Sequence, residues 1–456
     1  MRSSSKHSWG GSGSELLPVG GDGSEWKAPQ VQREDSAHLH FRSIRLKLLL
    51  PFNRHLMVQV KIIPVKIARL AIALGFLFFF PERALTQDTD GETAVAVDFE
   101  DQGMGQEVVF SSLEDVRISP LVFPFYSPTM EGALGGGALI TFRTDSDEEM
   151  PRSTVQLTGM YSTIGAVGLG MRAHTFWRGD TIRANGYLGY TDTFSNYAGV
   201  GFDKGLSVGR APATTLYDDE MIRFKPDLTF RVKGDWFVGF NFDWNHQDTD
   251  NPAPAMAGDP DFLRTGPNYF DSGLGLTVSH DTRDVTVAAR EGHLFLFQTT
   301  HYRDWFGSDF EYDSIDFDFR RYFPLFRDGS TLAVMVQSRY TSGDVPWDSF
   351  TSLGTSRDLR GYHYGQFRDR TGVWAVAEYR HQFSKRDSAE LSRHGMVTWA
   401  GIGFIGKDYS DLWSNDLGNV GIGYRFEIQE RRNLRLDFGF GRNGESGLYL
   451  GFNESF

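Results

Sequence analysis

The chain has 456 residues, a formal net charge of −13 and no cysteine. Without cysteine there are no disulfides, thiolate nucleophiles, Fe–S clusters or Cys-based zinc sites. The apolar runs of roughly 20 residues that a helical membrane bundle needs do not recur, and the acidic balance leaves no basic face for nucleic acid.

Charge is unevenly split. Residues 1–86 carry 12 Lys/Arg against 6 Asp/Glu, a net of +6, which leaves −19 on residues 87–456. Residues 1–56 are rich in Gly and Ser and show no period of 2 or 3.6. They predict an unstructured extension ahead of a misassigned start, with Met57 the expected initiator. Residues 70–80 (LAIALGFLFFF) form the one strongly apolar run. Lys61, Lys66 and Arg69 precede it; Pro81, Ala84 and Thr86 follow. A basic region, a short apolar region and a small-residue flank predict a secretory signal peptide over 57–86. The run is shorter than the about 17–25 residues of a spanning helix. Residues 87–120 read as a periplasmic lead-in, and 121–456 as a barrel.

From about residue 133 the pattern is one of strands. Trp236, Val238, Phe240, Phe242 and Trp244 share one face; Gly239, Asn241, Asp243 and Asn245 share the other. Val420, Ile422, Tyr424 and Phe426 likewise oppose Gly421, Gly423, Arg425 and Glu427. Successive strand residues point to opposite faces, so each segment has one apolar and one wet face. The segments run about 9–12 residues, the length that crosses a bilayer at a tilt. The wet face carries Gly and charges of both signs, as a water-filled lumen does. Trp and Tyr recur near segment ends, as in interfacial girdles.

The predicted segments are 133–143, 153–163, 166–177, 180–191, 194–205, 217–231, 235–246, 270–281, 292–303, 312–323, 330–341, 371–383, 394–405, 417–428, 433–442 and 446–456. The fold class is therefore all-β: a single transmembrane antiparallel barrel of about 16 strands, an even number as in bacterial single-chain barrels. With the amino end periplasmic, the long gaps 247–269 and 342–370 fall outside the cell, and the short gaps near 163–166 and 232–235 fall inside. Phe456 closes the last segment as a terminal aromatic. Gly135, Gly136 and Gly137 fall in the first. Glycine inside a strand costs roughly 0.5–1 kcal/mol relative to Ala, which predicts a weak first–last seam.

Three stretches resemble the bacterial surface antigen family, the BamA/TamA-like outer-membrane barrels. The first is residues 275–284 (GLTVSHDTRD), with Glu291 and Gly292 beyond; Asp281, Arg283 and Asp284 match its D-x-R-D pattern before a turn. The second is residues 353–362 (LGTSRDLRGY), then Glu378, Tyr379 and Arg380. Asp358, Leu359, Arg360, Gly361 and Tyr362 resemble the family's sixth-loop signature, and the strand count places Arg360 in the sixth outer loop. The third is the run of terminal segments from Gly421 to Phe456.

The resemblance implies an outer-membrane protein that helps to assemble or translocate protein or lipid, with loop six inserted in the lumen. It implies outer-membrane lipid and lipopolysaccharide as surroundings, an unfolded outer-membrane protein or a lipid as cargo, a monomer, no cofactor and no enzyme activity. Family members also carry POTRA domains before the barrel. Residues 87–120 fall short of the roughly 40 that fold alone, so none is expected there. Trp399 stands where the family often has an Asp, which leaves Glu378 as the obvious partner of Arg360. Strand parity turns Glu378 and Arg380 inward. Gly361 permits a positive φ at an inserted tip.

Other motifs carry less. Residues 205–209 (GLSVG) fit G-x-S-x-G, but in an outer loop with no helix to follow, so no catalytic residue is assigned. Residues 401–406 and 439–444 fit G-x-G-x-x-G and read as a small lumen face. The twelve His show no ligand spacing, so no metal site is assigned. Asp281, Arg283 and Asp284 read as a turn network at the periplasmic rim. The rival functions are a passive diffusion porin and, more remotely, an outer-membrane hydrolase.

Overall fold

A computed structural model describes residues 42–49, 55–62, 108–109, 116–127, 131–145, 150–208, 215–325, 328–385 and 390–456. Sixteen long strands form the closed barrel. They are β1 (Arg117–Ser127), β2 (Glu131–Phe142), β3 (Ser153–Ser162), β4 (Val167–Trp177), β5 (Ile182–Asn196) and β6 (Leu216–Lys233). Next come β7 (Trp236–Asp250), β8 (Asn268–Asp281), β9 (Gly292–Tyr302), β10 (Tyr312–Pro324) and β11 (Ser330–Gly343). The last are β12 (Thr371–Ser384), β13 (Leu391–Gly406), β14 (Asp416–Gln429), β15 (Arg432–Phe440) and β16 (Ser446–Phe452). Each pairs antiparallel with the next. Closure runs from β16 through the two-residue strand Val108–Val109 onto β1.

The wall is inverted relative to a soluble protein. Phe240, Leu276, Val420, Ile422, Phe438 and Leu448 are exposed on the outside. Asn241, Asp243, Glu378, Arg425, Arg435 and Asp437 are buried inside. An outer surface this apolar belongs in lipid, which satisfies side chains while the closed ladder satisfies the backbone.

The count of sixteen survives two compensating errors. The 194–205 segment is not a strand: β5 ends at Asn196, and a short helix α1 (Phe202–Val208) follows. Gly199 and Gly201 have φ of +100° and +108°, which breaks the pleat between them. The missing strand is β1, whose Pro120 and Pro124 argue against a strand from sequence alone. The first strand therefore starts at Arg117 rather than near 133. Parity shifts with it: residues 163–166 now connect on the outside.

The seam glycines are also displaced. Gly135, Gly136 and Gly137 lie in β2, opposite Phe123, Val122 and Leu121 of β1. Phe456 lies beyond the end of β16, which stops at Phe452. Asn453 has φ of +62° and turns the chain, so Phe456 is buried against Tyr322 and Arg380 instead of extending the strand. Arg42–Leu49 and His55–Ile62 form a separate antiparallel hairpin, where no element was expected before Met57. Ile44, Leu46 and Leu48 alternate with Arg45 and Lys47, which is enough to pair with the alternating Leu56, Val58 and Val60. The apolar run at 70–80 and most of the 57–86 signal segment lie outside the described residues.

Candidate functional site

The segment between β11 and β12 is the sixth outer loop, and it is built as a braced finger. Thr351–Leu353 pairs with Phe367–Asp369 as its stem. Trp347 is fully buried at the base, with Tyr197 and Phe262 from neighbouring outer loops and Tyr217 from the start of β6 around its ring. Helix α1 lies on the stem. Gly205 allows this, because a Cβ there would fall 2.5 Å from the Gln366 carbonyl oxygen. The G-x-S-x-G match thus begins inside a helix rather than in an open loop. Ser207 Oγ donates to the Lys204 carbonyl at 2.8 Å, and Gly205 serves packing.

Asp358 shapes the tip. Its carboxylate accepts from the Gly354 N–H at 2.9 Å, the Thr355 N–H at 2.7 Å and the Thr355 hydroxyl at 2.6 Å. Leu359 is fully buried, and its Cδ1 would lie 2.4 Å from a Cβ at Gly403 of β13. Gly361 has φ of +123° and no room for a Cβ, which would meet Gly441 N at 2.6 Å. The tip is fastened to the wall by neutral bonds as well. Asn419 Nδ2 donates to the Arg360 carbonyl at 2.8 Å, and the Gly361 N–H donates to Tyr449 Oη at 2.9 Å. Tyr362 Oη donates to the Gly418 carbonyl at 2.7 Å.

Arg360 is fully buried inside the barrel. Its Nη1 donates to Asp437 Oδ2 of β15 at 2.5 Å, and its Nη2 donates to Glu378 Oε1 of β12. The Trp399 ring lies under the guanidinium, 3.6 Å from centroid to Cζ. Trp399 therefore offers a π face where the family often has an Asp, and such a contact contributes about 0.5–2 kcal/mol.

Glu378 is not the only acidic partner. Asp437 was missed because an acid in an alternating strand reads as generic lumen lining. The available signal was its inward parity beside Gly439 and opposite Gly423, which leave space for an inserted side chain. Gly439 passes so close that a Cβ would lie 2.6 Å from the Arg360 carbonyl oxygen.

The network continues past Arg360. Arg380 donates to Glu378 at 2.9 Å, Arg425 donates to Glu454 at 2.7 Å, and Arg435 reaches Asp437 at 3.5 Å. Ser455 Oγ donates to Glu378 Oε1 at 2.6 Å. The tail after β16 and the loop tip thus share one carboxylate. Charge-assisted bonds away from bulk water are the strong kind.

The rim motif is separate. Asp281 accepts from Arg283 Nε at 2.8 Å and Arg183 Nη1 at 3.0 Å. Asp284 accepts from Arg431 Nη2 at 2.7 Å and from the Val285 and Arg290 N–H groups at 2.9 and 3.0 Å. Burial would raise the Asp284 pKa, but Arg431 and the backbone donors outweigh it and hold the carboxyl below the usual aspartate value. Among the described residues no group of three or more His, Asp or Glu side chains is arranged to hold a metal ion.

A closed antiparallel barrel, apolar outside and charged inside, is an outer-membrane β-barrel. This chain belongs to the Omp85 superfamily, whose domain model matches residues 175–442. It is thus a BamA/TamA-like barrel of that superfamily. Among solved structures it is similar to BamA from Haemophilus ducreyi lacking POTRA domains 1–3, at 12% identity and a TM-score of 0.48, over 85% of this chain and 78% of that one. It is similar to CdiB from Escherichia coli, at 12% identity and a TM-score of 0.47, over 74% of this chain and 62% of that one. CdiB from Acinetobacter baumannii gives 11% identity and a TM-score of 0.45, over 74% and 59%. The chain therefore spans about three fifths of each CdiB chain. No curated protein matches it.

Proposed function

We propose that the chain is exported through the signal peptide at 57–86 and acts as a monomer. It inserts or translocates a protein or lipid at the β1–β16 junction, while the sixth-loop tip is latched in the lumen. Its surroundings are outer-membrane lipid and lipopolysaccharide; its cargo is an unfolded outer-membrane protein or a lipid. The observation that carries the reading is the Arg360 guanidinium held between Glu378 and Asp437. A loop tip anchored to β12 and β15 occupies the lumen beside that stretch of wall, which favours the wall as the exit.

The junction supports the same reading. Among the described residues no ladder joins β16 directly to β1. Pro120 and Pro124 have the same parity, so their absent N–H groups lie along one edge. The ladder to β2 runs unbroken past both. The edge without donors is therefore the one turned to β16. The rival reading, a passive porin, is favoured by a lumenal cavity of about 310 Å³ whose lining includes none of the three latch residues.

A cysteine pair across β1 and β16 separates the two, and the chain has no cysteine to confuse the readout. Assembly or translocation at the junction predicts that the oxidised pair fails to complement a depleted strain, and that reductant restores outer-membrane composition. A locked barrel that complements fully contradicts it.

A further inference from the structure

The lumen holds a second charged region, away from the Arg360 latch. A cavity of about 310 Å³ is faced by six cations: Arg172, Arg183, Lys225, Arg283, Arg320 and Arg357. Four carboxylates face it, Asp227, Asp281, Asp318 and Glu454. These are already engaged. Asp281 serves both Arg183 and Arg283, Asp318 pairs with Arg320 at 2.5 Å, and Glu454 pairs with Arg425 at 2.7 Å. Asp227 accepts from Asn185 at 3.1 Å and from Gln298 at 3.4 Å.

Arg172 and Arg357 have no carboxylate in ion-pair reach among the described residues. They come from different elements. Arg172 projects inward from β4 with the Tyr187 ring 5.1 Å from its guanidinium carbon. Arg357 is carried in by the loop tip, three residues before Arg360. It is exposed, but to the enclosed lumen. Burial, then the charges of Arg172, Arg435 and Arg320, push its pKa well down.

A second cavity of about 230 Å³ at the periplasmic rim shares Phe176, Arg183, Asp281, Arg283 and Thr286 with the first. Arg117, Arg152, Arg431 and Arg432 line it. In a chain of net charge −13, arginines line a path from the rim to the chamber.

We infer that this chamber is an anion site, entered from the periplasmic side, in which Arg172 of the wall and Arg357 of the loop tip grip a phosphate group together. Two cations in excess call for a dianion. A phosphate brings about −1.5 to −2 charge and several acceptor oxygens, whereas a carboxylate brings one charge. The guanidinium fork matches phosphate oxygens in pairs. The volume takes a phosphate or a small phosphate ester. The site stands whether or not the β1–β16 junction opens.

The test is isothermal titration of the full chain in detergent with inorganic phosphate and with glycerol phosphate. Arg172→Gln and Arg357→Gln are each expected to weaken binding by about tenfold. Asp227→Asn removes a chamber anion and is expected to strengthen it, a gain that misfolding does not produce. Heat-shifted gel migration checks that each variant is folded. Equal binding of the two probes identifies a free phosphate site, whereas clear preference for glycerol phosphate identifies a lipid headgroup. No binding of either probe, or binding unchanged in both Arg variants, overturns the inference.

Discussion

Arg360 and Asp437 are 77 residues apart in the chain, yet Arg360 Nη1 donates to Asp437 Oδ2 at 2.5 Å with both side chains almost wholly buried. Glu378 takes the other arm of the same guanidinium. One loop residue therefore ties β12 to β15 on the inner face of one stretch of wall, and the two carboxylates back each other up.

That redundancy has a measurable consequence. Glu378→Ala leaves Arg360 on Asp437, and Asp437→Ala leaves it on Glu378. Each single change is expected to cost about 1–3 kcal/mol. Only the double variant strands the guanidinium. It should lose more than the sum of the singles, with an interaction of about 0.5–3 kcal/mol. Denaturation followed by heat-shifted gel migration gives the three values. Strict additivity would show that the carboxylates do not share Arg360.

Arg360→Lys keeps the charge and loses the planar fork. An ammonium bonds one carboxylate well and cannot span both. Its ring contact with Trp399 is also poorer, since stacking belongs to the flat guanidinium. The variant is expected to fall between wild type and Arg360→Ala in midpoint temperature and in single-channel current. Full recovery by Lys would mean that only charge matters.

Gly439→Ala tests how closely the tip passes the wall. The added methyl would meet the Arg360 carbonyl oxygen at 2.6 Å, and backbone on both sides cannot swing away. Overpacking of this kind costs about 1–3 kcal/mol. The tip should lift, and protease should cut the loop between β11 and β12 faster than in wild type. Gly418→Ala is the control, since nothing lies within 4 Å of a Cβ there.

The rim motif should respond to acid. Asp284 has a folded pKa below the usual 3.8. A depressed carboxyl contributes stability that is present above its unfolded pKa and is lost as pH falls through the folded value. Wild type should therefore be more stable than Asp284→Asn at pH 5, and the gap should close as pH drops below 3.8. Melting of both proteins across that range checks it. A gap that stays constant would mean that Arg431 and the backbone donors do not set the shift.

Period 2 made the barrel legible, because a strand in lipid must alternate, and Trp236 to Trp244 do so residue by residue. What failed was local. Pro120 and Pro124 disguise β1, since a donor-less residue suits only an edge, and the edge is invisible until the barrel closes. The 194–205 segment alternates well enough at its start to imitate a strand of its own, and only the left-handed φ of Gly199 and Gly201 decides otherwise. At the site, the R-G-Y run and Glu378 stand out by resemblance. Asp437, Asn419 and Ser455 do not, because each is one polar residue among many that face the lumen. Their role comes from where the loop tip lands, which is a property of the closed barrel.

The most direct measurement is planar-bilayer current through wild type and Arg360→Ala, with the Glu378→Ala, Asp437→Ala double beside them. The account predicts brief, rare openings in wild type, and larger, longer ones in both variants, as the tip leaves the lumen. Steady, large wild-type channels that Arg360→Ala leaves unchanged would contradict it, for the tip would then occlude nothing.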